Sequence, residues 1–209
     1  MKITILANDW QKKELEKKAI KENVKYAFKE SLNSIANDNS DVYFVLNRKL
    51  NKDQYHLFGD KPVFVNAVSE TLFETNMPYN FHRTNAWPSF LERNIWEVAT
   101  SNEAQVRSIF NKIGYEYIIV KDEPGLVSAR IISMIINEAY FAFEENVSTK
   151  KEINIAMKLG TNYPYGPFEW ADKIGIYNIH SLLEKLSKNS NRYLISASLS
   201  SEALLSAYC

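Results

Sequence analysis

The sequence predicts an α/β domain followed by an all-α domain, and two observations carry this prediction. Up to residue 120, short runs rich in β-branched and aromatic residues alternate with segments of helical periodicity. That alternation is typical of a mainly parallel sheet covered by helices. From residue 121 onward the apolar residues recur at helical spacing. A polar, turn-forming stretch at residues 122–125 separates the two patterns, so we place the domains at residues 1–120 and 121–209.

The composition predicts a globular protein and excludes several functions. Lysine plus arginine equals aspartate plus glutamate at 25 each, so no whole-chain field attracts nucleic acid or an acidic membrane. Apolar residues make up 45% and aromatic residues 13%, which argues against disorder. No stretch approaches the length of a membrane span, and Cys209 is the single cysteine. We therefore expect a cytoplasmic protein with neither nucleic-acid nor membrane partners.

The first half predicts six strands and one helix, together with one stretch that has two interpretations. The helix covers residues 102–113, where Val106, Ile109 and Phe110 form one apolar stripe. A lysine-rich stretch at 11–32 leaves two interpretations open: one long helix, or a helix that ends near Asn23 and precedes a strand at 24–28. The six strands are predicted at residues 2–6, 42–46, 62–68, 81–87, 95–99 and 115–120.

The second half predicts four helices. The first, over residues 127–143, is apolar nearly all round and is expected to be central and buried. The next starts near Ser148, with Glu152 following, and is expected to end at Gly160. Two more helices are predicted at residues 168–174 and 179–186.

A specific motif runs through this helical half, in an order and spacing that helix composition alone would not produce. It comprises Asp122-Glu123-Pro124-Gly125-Leu126-Val127, Arg130, Asn137-Glu138-Ala139, Ala156-Met157-Lys158-Leu159-Gly160, Gly166-Pro167-Phe168-Glu169 and Gly175. The pattern resembles the helical domain of the 3-hydroxyacyl-CoA dehydrogenases over roughly residues 115–200. The resemblance implies an amino-terminal Rossmann domain that binds NAD, an acyl-CoA substrate and a homodimer formed through the helical domain. The first half would then be an abridged Rossmann-like domain.

The cofactor-binding turn that the resemblance implies is missing. A Rossmann domain has glycines after its first strand, because only glycine lets the pyrophosphate approach the backbone amides of the next helix. Here residues 7–12 contain no glycine, and the first glycine in the chain is Gly59. Asp9 and Trp10 would set a carboxylate and an indole where the phosphates belong. We therefore expect no NAD at this turn and no other cofactor or metal.

The catalytic residues that the resemblance implies are only partly present. The family uses a histidine as general base and a glutamate twelve residues later that orients it. Glu97 matches the glutamate, but Asn85 stands at the histidine position, and an asparagine amide cannot accept a proton near neutral pH. Ala129, just before Arg130, replaces a family asparagine that contacts the reacting carbonyl. Ser69 matches a family serine, with capping of a helix at residues 70–74 as the other interpretation.

Three hypotheses for function follow. The first is a degenerate family member that keeps the dimer and an acyl-CoA-type ligand but needs no cofactor. The second is a working NAD-dependent L-3-hydroxyacyl-CoA dehydrogenase of fatty-acid oxidation, with atypical cofactor binding and His82 and Glu97 as the catalytic dyad. The third is a non-enzymatic subunit that acts through protein contacts. The position of His82 relative to Glu97 and the structure of the turn after Leu6 distinguish the first two.

Overall fold

The computed structural model of the chain describes residues 1–19, 21–35 and 38–206. Contacts divide it into two compact units, Met1–Leu126 and Val127–Cys209. The prediction of an α/β part followed by a helical part is confirmed. Ile20, which belongs to the predicted helical stripe of the lysine-rich stretch, and Cys209 lie outside the described residues.

The first unit is built on a seven-stranded sheet with the strand order β2-β1-β3-β4-β5-β6-β7. Neighbouring strands run parallel except at the β5–β6 junction, so β6 and β7 run opposite to the other five. The strands are β1 (Lys2–Leu6), β2 (Lys25–Lys29), β3 (Val42–Val45), β4 (Val63–Asn66), β5 (Phe81–Thr84), β6 (Ile95–Thr100) and β7 (Glu116–Ile119).

The lysine-rich stretch forms a helix and then a strand, which settles the alternative that the sequence left open. Helix α1 (Asp9–Glu16) begins with Asn8 as its N-cap and is followed by β2. Two further helices lie in this unit: α2 (Leu72–Thr75) and α3 (Glu103–Ile113). Asn102 caps α3, and Gly114 ends it in the left-handed conformation at φ 83°.

The two faces of the sheet carry separate cores. On the face that we call the α3 face, Phe44, Phe64 and Trp96 pack with residues of α1 and α3. On the opposite face, which we call the α2 face, strand residues pack with α2 and with two 3₁₀ turns, Leu32–Ile35 and Lys52–Phe58. Successive residues of a strand point to opposite faces, so a difference of one residue decides which core a side chain joins.

The second unit is all-helical, as predicted. Helix α4 contacts each of the other four helices of the unit and buries Ile132, Ile136 and Tyr140, so its predicted central position is confirmed. Its burial is one-sided, because Ile131 is 55% exposed. A short 3₁₀ turn, Asn191–Tyr193, precedes the last helix. The helices are α4 (Ser128–Glu144), α5 (Lys150–Thr161), α6 (Pro167–Ile174), α7 (Ile176–Ser187) and α8 (Ala197–Ser206).

The two ends of α5 differ from the prediction in detail. Thr149 is the N-cap and forms a capping box with Glu152, whose carboxylate also accepts from the Ser148 hydroxyl. At the other end Gly160 lies within the helix, and Asn162 closes it in the left-handed region at φ 55°. Asparagine tolerates this conformation, so the predicted glycine cap is not needed.

Among the described helices, none combines the length and apolar character that a membrane span requires.

Candidate functional site

The residues that the resemblance singles out lie near one edge of the sheet in the first unit. The parallel strands β1, β3, β4 and β5 end there, and the antiparallel strand β6 begins there. Ligands of open α/β sheets bind outside the carboxyl ends of the parallel strands. Asn85 directly follows β5, and Glu97 lies early in β6.

Asn85 and Glu97 are brought together by strand register. The β5–β6 ladder pairs Arg83 with Ala99 and Thr84 with Val98, so one further step places Asn85 opposite Glu97. Paired residues of an antiparallel ladder share a face, so both side chains belong to the α2 face. Asn85 is buried, and its Oδ1 accepts the backbone N–H of Trp87 at 3.1 Å. The Asn85 side chain therefore supports the turn that follows β5.

The Glu97 carboxylate has a cation near it. Burial lowers the pKa of Arg93, and the charge of Glu97 counteracts this shift. The Arg93 guanidinium lies 3.9 Å from the centroid of the Phe90 ring. Glu97 therefore faces an asparagine across the ladder and a guanidinium nearby, and neither group can serve as a general base.

His82 belongs to the other face of the sheet. It pairs with Thr100, two residues from Val98 on β6, and its ring lies 4.8 Å from that of Phe64 in the α3-face core. The imidazole is fully buried, and both nitrogens have partners: Nδ1 lies 2.7 Å from the Thr100 hydroxyl and Nε2 lies 2.9 Å from Gln105 Oε1. The structure does not bring His82 to Glu97.

The hydrogen bonds of His82 are compatible with a neutral imidazole. Gln105 Oε1 is an acceptor, so Nε2 carries the proton, and Nδ1 accepts from the Thr100 hydroxyl. Burial lowers the pKa of His82 to about 4, although the hydrogen bond to Gln105 raises it.

Ser69 lies half-buried in the loop between β4 and α2. The interpretation of Ser69 as a helix cap is wrong, because Thr71 caps α2 through the backbone N–H of Glu74 at 3.1 Å. Arg83 stabilises this loop by donating hydrogen bonds to the carbonyls of Ala67 at 2.8 Å and Val68 at 3.0 Å.

Arg83 is the feature that sequence reasoning missed. It is fully buried on β5, and its guanidinium pairs with Asp122 and donates to the Glu123 carbonyl at 3.3 Å. Asp122 also accepts the backbone N–H groups of Leu72 at 3.0 Å and Phe73 at 3.3 Å, at the start of α2. The turn-forming stretch at residues 122–125, predicted as the domain boundary, is therefore anchored to the first unit. No sequence signal separates such an arginine from an ordinary strand-end cation.

The turn after β1 does not fit a dinucleotide. Asn8 and Gln11 form a capping box: Asn8 Oδ1 accepts the Gln11 N–H, and Gln11 Oε1 accepts the Asn8 N–H, both at 3.1 Å. In a Rossmann site, the amides at this helix start face the pyrophosphate. The Trp10 side chain is partly buried and packs against the α3-face core. The pattern Asn8-x-x-Gln11 was visible in the sequence and indicates such a box.

No other chemistry is evident in the described residues. They contain no group of three or more histidine, cysteine, aspartate or glutamate side chains that could hold a metal ion. Ala129 is fully buried on α4, so the family's carbonyl-contacting asparagine is replaced by a side chain that packs in the core.

Comparison with known proteins agrees with this fold. The family model described as "3-hydroxyacyl-CoA dehydrogenase, C-terminal domain" matches residues 125–206. A 3-hydroxyadipyl-CoA dehydrogenase of Escherichia coli (strain K12) is 39% identical over 94 residues, which cover 44% of this chain and 20% of that protein. A probable 3-hydroxybutyryl-CoA dehydrogenase of Bacillus subtilis (strain 168) is 36% identical over 125 residues, 57% of this chain and 44% of that protein.

A solved structure has the same architecture. The (S)-3-hydroxybutyryl-CoA dehydrogenase of Ralstonia eutropha superimposes with a TM-score of 0.69 at 22% identity, over 88% of this chain and 71% of that one. The class is thus a Rossmann-like α/β unit joined to a dehydrogenase-type helical domain. Over residues 125–206 the helical unit is similar to the carboxy-terminal domain of the 3-hydroxyacyl-CoA dehydrogenases. The chain spans less than half the length of these two curated relatives.

Proposed function

We propose that this chain is a degenerate 3-hydroxyacyl-CoA dehydrogenase that does not catalyse the family's reaction. The observation that carries the proposal is that Asn85, which the resemblance sets at the histidine position, directly follows the Thr84–Val98 pair and so lies next to Glu97. A hydroxyl oxidation needs a group that accepts the hydroxyl proton while hydride leaves for the cofactor. The amide of Asn85 cannot accept it, and the imidazole of His82 is buried on the other face of the sheet.

An activity assay tests this proposal. The full chain would be supplied with NADH and acetoacetyl-CoA, and NADH oxidation followed by absorbance, with the Bacillus subtilis relative as the positive control. We expect no turnover above the rate without enzyme. Turnover that Glu97→Gln abolishes would overturn the proposal, because it would show a working acid–base group at the position that we consider inactive. Turnover that His82→Gln abolishes would instead support the alternative dehydrogenase with His82 as its base.

The ligand that we propose is an acyl-CoA-type ester. Support comes from the names of the relatives, which act on 3-hydroxyadipyl-CoA and 3-hydroxybutyryl-CoA. Isothermal titration of the full chain with acetoacetyl-CoA tests it, with free coenzyme A as the matched ligand without an acyl group. Binding of the ester at least tenfold tighter than free coenzyme A is expected. The absence of ester binding would contradict the ligand and favour the interaction-subunit hypothesis.

We also propose a homodimer formed through the helical unit, in the cytoplasm. The helices present large apolar side chains to solvent: Leu159 on α5 is 82% exposed and Leu205 on α8 is 70% exposed. Light scattering after gel filtration measures the mass. We expect Leu159→Glu to yield monomers while Phe73→Glu, at an equally exposed position in the first unit, leaves the dimer intact. A monomeric wild-type chain would contradict the proposal.

A further inference from the structure

The carboxyl edge of the sheet contains a side chain that the family resemblance does not account for. We infer that Gln11 closes the dinucleotide crevice with a clamp of internal hydrogen bonds, so that the protein's own amides occupy the place of a cofactor. The clamp consists of Gln11 and Asn66 together with the backbones of Leu46 and Ala86. This inference deepens the proposed function, on which it rests for its biological meaning.

The clamp lies where a doubly wound sheet binds its cofactor. From β1 the chain goes first to β2 on one side and then crosses to β3 on the other side. This reversal opens a crevice between the carboxyl ends of β1 and β3, which is where such folds bind dinucleotides. Gln11 lies in the first turn of α1, directly after β1, and Leu46 directly follows β3. The Gln11 side chain therefore spans this crevice.

The polar groups of Gln11 are all used inside the protein. The side chain is only 1% exposed; Nε2 donates to the Leu46 carbonyl at 2.8 Å and makes a longer contact of 3.5 Å with the Ala86 carbonyl. Its Oε1 accepts from the Asn8 N–H. A buried amide with these partners is held in one rotamer, because any other would leave polar groups unpaired.

Asn66 makes the complementary bonds from the next strand. Its Nδ2 donates to the Leu46 carbonyl at 3.2 Å, and its Oδ1 accepts the Ala86 N–H at 3.0 Å. The ends of β3, β4 and β5 are thus joined to α1 through two side-chain amides. One turn after Gln11, Glu14 accepts the Ser89 N–H at 2.6 Å and fixes the same loop after β5.

A dinucleotide would have to break this clamp to bind. The pyrophosphate needs the amides at the start of α1, but those of Asn8 and Gln11 already donate to side chains. Displacing Gln11 would also remove the shorter of two hydrogen bonds to the Leu46 carbonyl and the longer contact with the Ala86 carbonyl, and NAD offers its phosphate oxygens only as acceptors. The internal hydrogen bonds therefore oppose dinucleotide binding at this crevice and give its residues a structural role.

The test compares two glutamines that cap helices in the same way. Gln54 Oε1 accepts the Asn51 N–H at 2.9 Å, but Gln54 lies in an outer 3₁₀ turn. Gln11→Ala and Gln54→Ala are prepared in the full chain, and thermal unfolding is measured for each together with titration of the wild type with NADH. We expect no NADH binding to the wild type. We also expect Gln11→Ala to lower the Tm by roughly 5 °C more than Gln54→Ala does, because buried groups lose their partner.

Each outcome decides the inference. Micromolar NADH binding by the wild type would overturn it, as would equal Tm losses in the two variants. NADH binding without turnover would overturn the inference about the clamp but leave the proposed function intact, so the two failures can be told apart. Turnover requires NADH binding and would therefore overturn both the proposed function and the inference, whereas equal Tm losses without NADH binding would overturn the inference alone.

Discussion

His82 and Glu97 lie on opposite faces of the sheet, although Glu97 lies only three residues before Thr100, the β6 residue that pairs with His82. The alternation of side chains along a strand is the cause: His82 pairs with Thr100, whereas Glu97 shares its face with Arg83 and Asn85. A substitute histidine three residues from the original position therefore enters a core. The imidazole of His82 is therefore buried, and its protonation affects the stability of the fold.

The stability of the first unit should depend on pH through His82. Its pKa falls to about 4 in the folded chain from an unfolded value of about 6.5, so the unfolded chain binds more protons between these values. Its contribution is present above pH 6.5 and is lost as pH falls toward 4. A shift of this size corresponds to roughly 3 kcal/mol. Denaturant unfolding at pH 7, 5.5 and 4.5 would measure it.

The matched variants are His82→Gln and His56→Gln. His56 is exposed, so its removal should leave the pH dependence unchanged. His82→Gln lacks the titrating group and should show a flatter stability profile over the same range. An identical slope in His82→Gln and wild type would show that another group controls the acid response.

The Arg83–Asp122 pair should be a large contributor to the stability of the first unit. The Asp122 carboxylate accepts hydrogen bonds from the backbone N–H groups of Leu72 and Phe73 and from the Arg83 guanidinium. Asp122→Asn replaces one carboxylate oxygen by an NH₂ group, which would face one of these donors. It also leaves the buried guanidinium without its counterion. Breaking such a pair costs about 3–5 kcal/mol. Denaturant unfolding would give the loss; Asp60→Asn, an exposed position, is the control, and a loss below about 1 kcal/mol would contradict the assignment.

Particular residues show how far the sequence predicts this structure. The strands at Val42–Val45 and Val63–Asn66 follow from continuous apolar runs, which suit a sheet covered on both faces. The end of α1 was left open, because a lysine-rich amphipathic segment carries no strong stop signal before Asn23. The fate of His82 required the register of β5 against β6, and register depends on tertiary pairing.

The candidate site divides in the same way. Asn85 and Glu97 were linked by the family resemblance, and the register puts them directly after the Thr84–Val98 pair. The clamp of Gln11 was not predicted, because its partners Leu46 and Ala86 are 35 and 75 residues away and are backbone carbonyls. Any residue could supply those carbonyls, so the sequence carries no trace of the contact.

Glu144 should fasten α8 to α4 in a pH-dependent manner. Its carboxylate accepts from the Ser196 hydroxyl and the Ser198 N–H at the start of α8, and the Ser196 bond is the main reason that the pKa of Glu144 is lowered. A lowered carboxyl pKa contributes stability above the unfolded value of 4.5, which is lost as pH falls below it. Glu144→Gln should therefore exchange amide hydrogens of α8 faster at pH 7.

Hydrogen exchange followed by mass spectrometry measures this effect. Glu145→Gln changes the neighbouring exposed carboxylate and serves as the control. The difference between Glu144→Gln and wild type should shrink as pH falls below 4.5. A difference that persists at low pH would assign the effect to the hydroxyl geometry and not to charge.

Two glycines of the helical unit should respond in opposite directions to alanine. Gly160 lies within α5, and a Cβ there would meet nothing within 4 Å, so Gly160→Ala should stabilise the unit by roughly 0.5–1 kcal/mol through helix propensity. Gly166 caps α6, and its Cβ would lie 2.5 Å from the Asn154 Cα in α5. Because that atom belongs to the backbone, Gly166→Ala must separate α5 from α6 and should lower the Tm by several degrees. Thermal unfolding of both variants tests the pair; a stable Gly166→Ala would mean that α5 and α6 pack less closely than this structure has them.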